Sequence, residues 1–160
     1  MECPSWQNAN SYRKIEPVMQ LIDVYSNPAA KAALFECLKK RPVVHAISHR
    51  ELPSFEDHCL FVDSRPYRLW YLIENAGIYI GSAYLTEMND IGLFLTPEHA
   101  PKAAEAIQLI LSTHRPLPAI TSKRIEAFSI NVNPSNLDLI KNVESVGGQH
   151  VQNTYVFLKT

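Results

Sequence analysis

The sequence predicts an α/β protein of the α+β type, with a mixed, mainly antiparallel sheet and helices on both of its faces. Two stretches carry that prediction. The first runs from Asn89 to Leu111, where Ile91, Leu93 and Leu95 alternate with Gly92, Phe94 and Thr96. Both faces are therefore largely apolar, as in a strand covered on two sides near the middle of a sheet. From Pro101 the period becomes helical: Ala103, Ala106, Ile107, Ile110, Leu111 and His114 share one face, and Lys102, Glu105, Gln108 and Ser112 fall elsewhere. Pro101 suits a first helical position, because its missing N–H would be unpaired there anyway. The second stretch is Tyr67 to Thr96, three runs rich in Trp, Tyr and Ile separated by Ala76-Gly77 and Met88-Asn89. Connections that short make the three strands antiparallel neighbours.

The remaining elements follow in chain order. Residues 1 to 13 are polar and read as an irregular arm. Glu16 to Tyr25 alternates as a first strand, and Asn27-Pro28 opens a helix over AAKAALFECLKK, which Arg41-Pro42 ends. Val43 to Arg50 fits neither period. Ser54 then caps a second helix, with Asp57 in the capping-box position and Phe55, Cys59, Leu60 and Val62 on one side; Pro66 closes it. After the Ala-rich helix comes a Pro-rich loop over 114–123, a strand from Arg124 to Val132, a helix from Asn136 to Val146 capped by Gly147-Gly148, and a last strand from Tyr155 to Leu158.

Composition narrows the function classes. The 160 residues, 46% hydrophobic and 19% charged, suit a single domain over 1–160 with a substantial core. With a formal net charge of -1 and no long run of like charges, the chain offers no electrostatic case for nucleic acid or an anionic membrane. Cys3, Cys37 and Cys59 are odd in number and scattered, which predicts reduced thiols and a cytoplasmic protein. His45 and His49 in HAISH, with His58 nearby, lack a carboxylate-anchored third ligand, so no metal is expected. Cys59 sits on an apolar side as a small hydrophobe, and Tyr67, Trp70, Tyr71, Tyr79 and Tyr84 read as sheet packing.

A strand that opens into a helix presents unpaired N–H groups and the positive end of a macrodipole, a place suited to phosphate. That feature, the element order and two local patterns together resemble the GNAT superfamily of acyl-CoA-dependent N-acetyltransferases, across nearly the whole chain. The family's pyrophosphate loop, [R/Q]-x-x-G-x-[G/A], falls on Glu98-His99-Ala100-Pro101-Lys102-Ala103, which keeps the small residue at Ala103. Glu98 stands in place of the cation or amide, and Pro101 in place of glycine. SINVNPSNLDLIKNVESVGG matches the family's strand, Asn-containing turn, helix and closing Gly, with Asn136 on the family's Asn. Val143 occupies the position where the family presents a tyrosine as general acid.

The resemblance implies a GNAT-like sheet and acetyl-CoA as co-substrate, held by the backbone around Leu93, Phe94, Leu95, Lys102, Ala103 and Ala104 and by Asn136. An amine acceptor is the implied partner, with neither nucleic acid nor membrane, and a homodimer is admitted. Attack on a thioester needs a neutral amine, and Glu87 and Asp90 at the entry to the strand are the candidate bases. A backbone N–H of Leu93 to Leu95 would meet the oxyanion if that strand splays from its neighbour. Loss of the glycine and cation at Pro101 and Glu98 points instead to a GNAT-fold binding or interaction module with weak or lost acyl-CoA binding.

Overall fold

The computed structural model describes residues 18–42 and 51–157. The expected arm, the start of the first strand at Glu16, the ambiguous 43–50 stretch with His45 and His49, and Leu158 lie outside those residues. Along the described chain come β1 (Gln20–Asp23), α1 (Ala30–Lys39), α2 (Phe55–Asp63), β2 (Leu69–Asn75), β3 (Ile78–Leu85) and β4 (Asp90–Leu95). A 3-10 segment, Pro97–Lys102, then leads into α3 (Ala103–Thr113), followed by β5 (Ser129–Ile130) and α4 (Leu137–Ser145). The strands form one sheet in the order β1-β2-β3-β4-β5, antiparallel except for the parallel pair β4–β5. The α+β class with a mixed, mainly antiparallel sheet is therefore the observed architecture.

Local chemistry explains the meander. Ala76 and Gly77 both have positive φ, 55° and 78°, the backbone of a two-residue type I′ hairpin whose twist matches its strands. One bulge follows, because Ile73 pairs with Gly81 while Glu74 pairs with Tyr79. Ile80 is the extra residue, and the bulge turns its side chain to the same face as Ala83 and Leu85. That face, with Ile73, Ile91 and Leu95, packs on Ala103, Ala106 and Ile110 of α3. Val24, Trp70 and Leu72 pack on the opposite side against Ala30, Leu34 and Cys37 of α1 and Val62 of α2.

β4 is an interior strand, as expected near the middle of the sheet, with β3 at the centre. Four other expectations are corrected. The helix expected from Pro101 begins as α-helix only at Ala103, Pro101 lying inside the 3-10 segment, and Leu111 stays exposed. On α2 the inward residues are His58 and Val62, whereas Phe55, Leu60 and Phe61 are exposed. Ser54 caps this helix, its Oγ accepting the Asp57 N–H at 3.0 Å, and His58 and Val62, one helical turn apart, turn inward, His58 against Lys31 and Phe35 of α1 and Val62 into the cluster of Trp70 and Leu72. Finally, the strand expected over Arg124 to Val132 shrinks to Ser129–Ile130, and residues 155–157 form no strand. Gly147 and Gly148 do cap α4, donating to the Glu144 and Val143 carbonyls at 3.0 and 2.9 Å, with Gly147 at φ 92°.

Burial of His58 has a pH consequence. Its Nε2 lies 3.0 Å from the Lys31 carbonyl, and Phe35 and Phe55 flank the ring. Burial lowers its pKa below the ordinary histidine value, against a smaller opposing effect of the Lys31 carbonyl. The folded state therefore binds fewer protons than the unfolded chain, and stability falls as pH drops below about 6.5. Urea midpoints at pH 7.5 and 5.5 should differ in wild type and differ less in His58→Asn. Equal differences in the two proteins would remove His58 as the cause.

Candidate active site

β4 is paired unevenly, and that unevenness defines the site. On one side it meets β3 along Ile91 to Leu95, flanked by the Thr86 N–H to Asp90 and Thr96 N–H to Ile80 carbonyl bonds at 3.0 and 2.9 Å. In an antiparallel ladder alternate residues turn their backbone groups to the partner, so Gly92 and Phe94 address β3, while Ile91, Leu93 and Leu95 address the other side. There β5 pairs only with Asp90 and Ile91. Beyond Ile91 the sheet opens, and among the described residues no strand covers the outer backbone edge of Leu93 and Leu95. Phe94 turns its ring to the α1 and α2 side, where it packs on the Trp70 and Leu72 cluster.

The expected bases lie at the closed end of that opening. Asp90 is held by two hydroxyls: Ser129 Oγ donates to its Oδ1 at 2.7 Å and Thr86 Oγ1 to its Oδ2 at 3.1 Å. Its carboxylate thus ties β4 to both neighbours. Each oxygen keeps a further lone pair for an incoming donor. Glu87 is exposed on the turn, and its backbone carbonyl accepts from Arg124 Nη1 at 2.6 Å. Both residues are separated from the start of α3 by the length of β4, about 17 Å from Asp90 to Leu95.

At the other end, the expected phosphate cradle is largely occupied by the protein itself. Ala103 is 4% exposed, packed in the core rather than open to an approaching ligand. Its N–H donates to the Ala100 carbonyl, and the Ala104 N–H donates to Asn142 Oδ1 of α4 at 3.2 Å. Lys102 is half-buried and paired with Glu105 at 3.4 Å. Glu98 adds negative charge to the same segment, since its own backbone N–H, and then Lys40 at 3.5 Å, hold its carboxyl below the usual range. Thr96 Oγ1 and His99 Nδ1 are 2.9 Å apart and brace the turn. Asn136 caps α4, accepting the Leu139 N–H at 3.2 Å, and so serves its own helix.

The structure thus brings Leu93 and Leu95 to an open edge, keeps the Phe94 backbone paired with β3 and its ring packed inside, and does not assemble Ala103, Ala104 and Asn136 into a free cradle. Two residues escaped the sequence reading. Asn142, as the capping partner of α3, leaves no local signal, because the contact joins helices 38 residues apart. Asn89 announces itself as a turn residue, yet its fully buried side chain bonds Leu117 and Ile125 and thereby carries the loop that delivers β5. No three of His, Cys, Asp and Glu gather for a metal among the described residues, and none of their helices is long and apolar enough to cross a membrane.

No protein-family model and no curated protein matches the chain. A domain from Methanocaldococcus jannaschii DSM 2661, known as a crystal structure, superposes with a TM-score of 0.60 at 13% identity, covering 87% of this chain and 93% of that one. At such low identity the likeness concerns the fold alone.

Proposed function

We propose that the chain is an acyl-CoA-dependent N-acyltransferase of the GNAT type, moving the acetyl group of acetyl-CoA to a primary amine of a small molecule or peptide. The observation that carries this reading is the bare edge of β4 after Ile91. An extended acyl-CoA chain contains amide groups that can pair with the outward N–H and C=O groups of Leu93 and Leu95, as an added strand pairs with a sheet edge. One of those N–H groups then faces the thioester oxygen, where charge develops during attack. Element order, with the parallel β4–β5 pair last in the sheet, supports the same reading. Asp90, whose side chain shares the face of Gly92 by strand alternation, is the carboxylate placed to take the amine proton through water. Glu87, exposed on the turn, is the other candidate.

Amide hydrogen exchange read by NMR tests the proposal. With acetyl-CoA present, the Leu93 and Leu95 amides should become protected while the Gly92 and Phe94 amides, already paired with β3, change little. A second reading, the binding module without acyl-CoA, is favoured by the engaged donors at Ala103 and Ala104. Absence of protection at millimolar acetyl-CoA would select it.

A further inference from the structure

Arg68 stands just before β2, at the end of the sheet where Leu69 pairs with Leu85 and Leu85 with Ile91. Its Nε and Nη2 are buried and meet no hydrogen-bond acceptor among the described residues. A guanidinium keeps its charge at every pH at which the protein is folded, so it cannot escape the cost of burial by losing a proton. Such a group calls for an anion. His114, which closes α3, is orphaned in the same way, its Nε2 buried without a partner among the described residues. Its ring stacks on Tyr71, with centroids 5.4 Å apart and planes 22° from parallel. Tyr71 alternates with Leu69 and Ile73, which pack towards α3, and so stands on the α3 face of the sheet.

The three side chains act on one another. Burial, and after it the Arg68 charge, holds the His114 ring below the ordinary histidine range. Burial raises the Tyr71 phenol, with Asp23 adding to the rise and Arg68 opposing it. Neither neighbouring carboxylate serves Arg68. Asp23, opposite Tyr71 in the register, is exposed and accepts the Tyr25 N–H at 3.0 Å. Asp90 alternates with Ile91 and so lies on the other face of the sheet, bound to Ser129 and Thr86. Arg68, a neutral imidazole and a phenol thus form a cluster with one positive charge, an unpaired guanidinium edge and an imidazole nitrogen able to carry a further N–H.

We propose that Arg68, His114 and Tyr71 form a binding site for a small monocarboxylate, apart from the β4 edge. Nε and Nη2 lie along one side of the guanidinium, and their parallel N–H groups match the two oxygens of a carboxylate. The His114 Nε2–H, in the tautomer that carries its proton there, donates to one of the same oxygens, while the Tyr71 ring backs the imidazole. One carboxylate charge balances one guanidinium. A phosphate dianion would bring a surplus negative charge and further oxygens without donors. Arg68 and His114 are each only half-buried as whole residues, so rotation of the Arg68 side chain opens the fork to solvent and closes it on the ligand. The site stands whether or not the chain transfers acyl groups.

The probe is sodium acetate, exchanged for sodium chloride at constant ionic strength while NMR follows the His114 and Tyr71 ring signals. Wild type should give saturable shifts with a half-point of roughly 1 to 50 mM, and the bound anion should raise the His114 pKa. Arg68→Lys keeps the charge without the fork and should weaken acetate about 10-fold. Arg68→Gln should abolish saturation, and its thermal midpoint should equal or exceed that of wild type, because an unpaired buried charge is removed. Shifts linear in acetate throughout that range, or a half-point unchanged in Arg68→Gln, overturn the site. A lower thermal midpoint in Arg68→Gln overturns it too, by showing that Arg68 already has its partner within the fold. Inorganic phosphate binding more tightly than acetate, at a pH where it is a dianion, overturns the carboxylate assignment.

Discussion

Replacing Asn89 by alanine should lower the unfolding free energy by about 3 to 5 kcal/mol, an expectation built on three stranded backbone groups. The Asn89 side chain is completely buried; its Nδ2 donates to the Leu117 and Ile125 carbonyls, both at 3.0 Å, and its Oδ1 accepts the Leu117 N–H at 2.7 Å. Alanine removes every one of these partners at once and supplies none. It also places a Cβ at φ 66°, where asparagine is tolerated and alanine costs about 1 kcal/mol more. The series has an internal order. Asn89→Gly should be less harmful than Asn89→Ala, because it relieves the backbone while losing the same bonds. Asn89→Asp should be worst, since it sets a buried carboxylate against two carbonyl oxygens. Urea titrations of the three variants decide it, and a loss under about 1 kcal/mol in Asn89→Ala would sink the argument. Function should follow stability, because the Asn89 carbonyl also accepts the Ser129 N–H at 3.1 Å and so seats the first residue of β5.

What could be read from the sequence divides along the range of the interactions. The meander, α1 and the caps at Ser54, Asn136 and Gly147 are written in residues a few positions apart, and periodicity with turn chemistry suffices for them. The inner face of α2 is not legible in the sequence because His58 is polar; its burial depends on a carbonyl of α1, at Lys31, that no local pattern announces. The shortness of β5 is hidden for a related reason. Strand propensity in 124–132 does not say that β4 offers pairing only at Asp90 and Ile91, and Arg124 is drawn instead to the Pro118 and Glu87 carbonyls at 2.8 and 2.6 Å. Tyr84 was legible as packing. That its ring lies over Gly92 of the neighbouring strand is a tertiary contact that no local pattern carries.

Ala103→Glu should cost about 3 to 5 kcal/mol of stability, and this outcome separates two explanations of a small residue at the start of α3. If Ala103 is small so that phosphate can approach, a glutamate there would face solvent and ligand, and folding would survive. The structure places it instead at 4% exposure in the cluster of Met19, Ile73, Ala106 and Ile110. A carboxylate in that cluster has neither water nor a cation, and the favourable helix dipole at an N-terminus offsets only about 1 kcal/mol of its desolvation. Lys102→Ala serves as the surface control, expected to change stability by less than about 1 kcal/mol because the Glu105 pair it breaks is exposed. Asn142→Ala then asks whether the same helix end can be reopened. Freeing the Ala104 N–H should cost about 1 kcal/mol as the loss of a cap, and it should tighten acetyl-CoA binding if pyrophosphate reaches that turn. Calorimetric titration beside urea unfolding reads both quantities on one set of proteins. A folded Ala103→Glu of wild-type stability would refute the packing account, whereas unchanged acetyl-CoA affinity in Asn142→Ala would remove the α3 turn from the proposed acyl-CoA site.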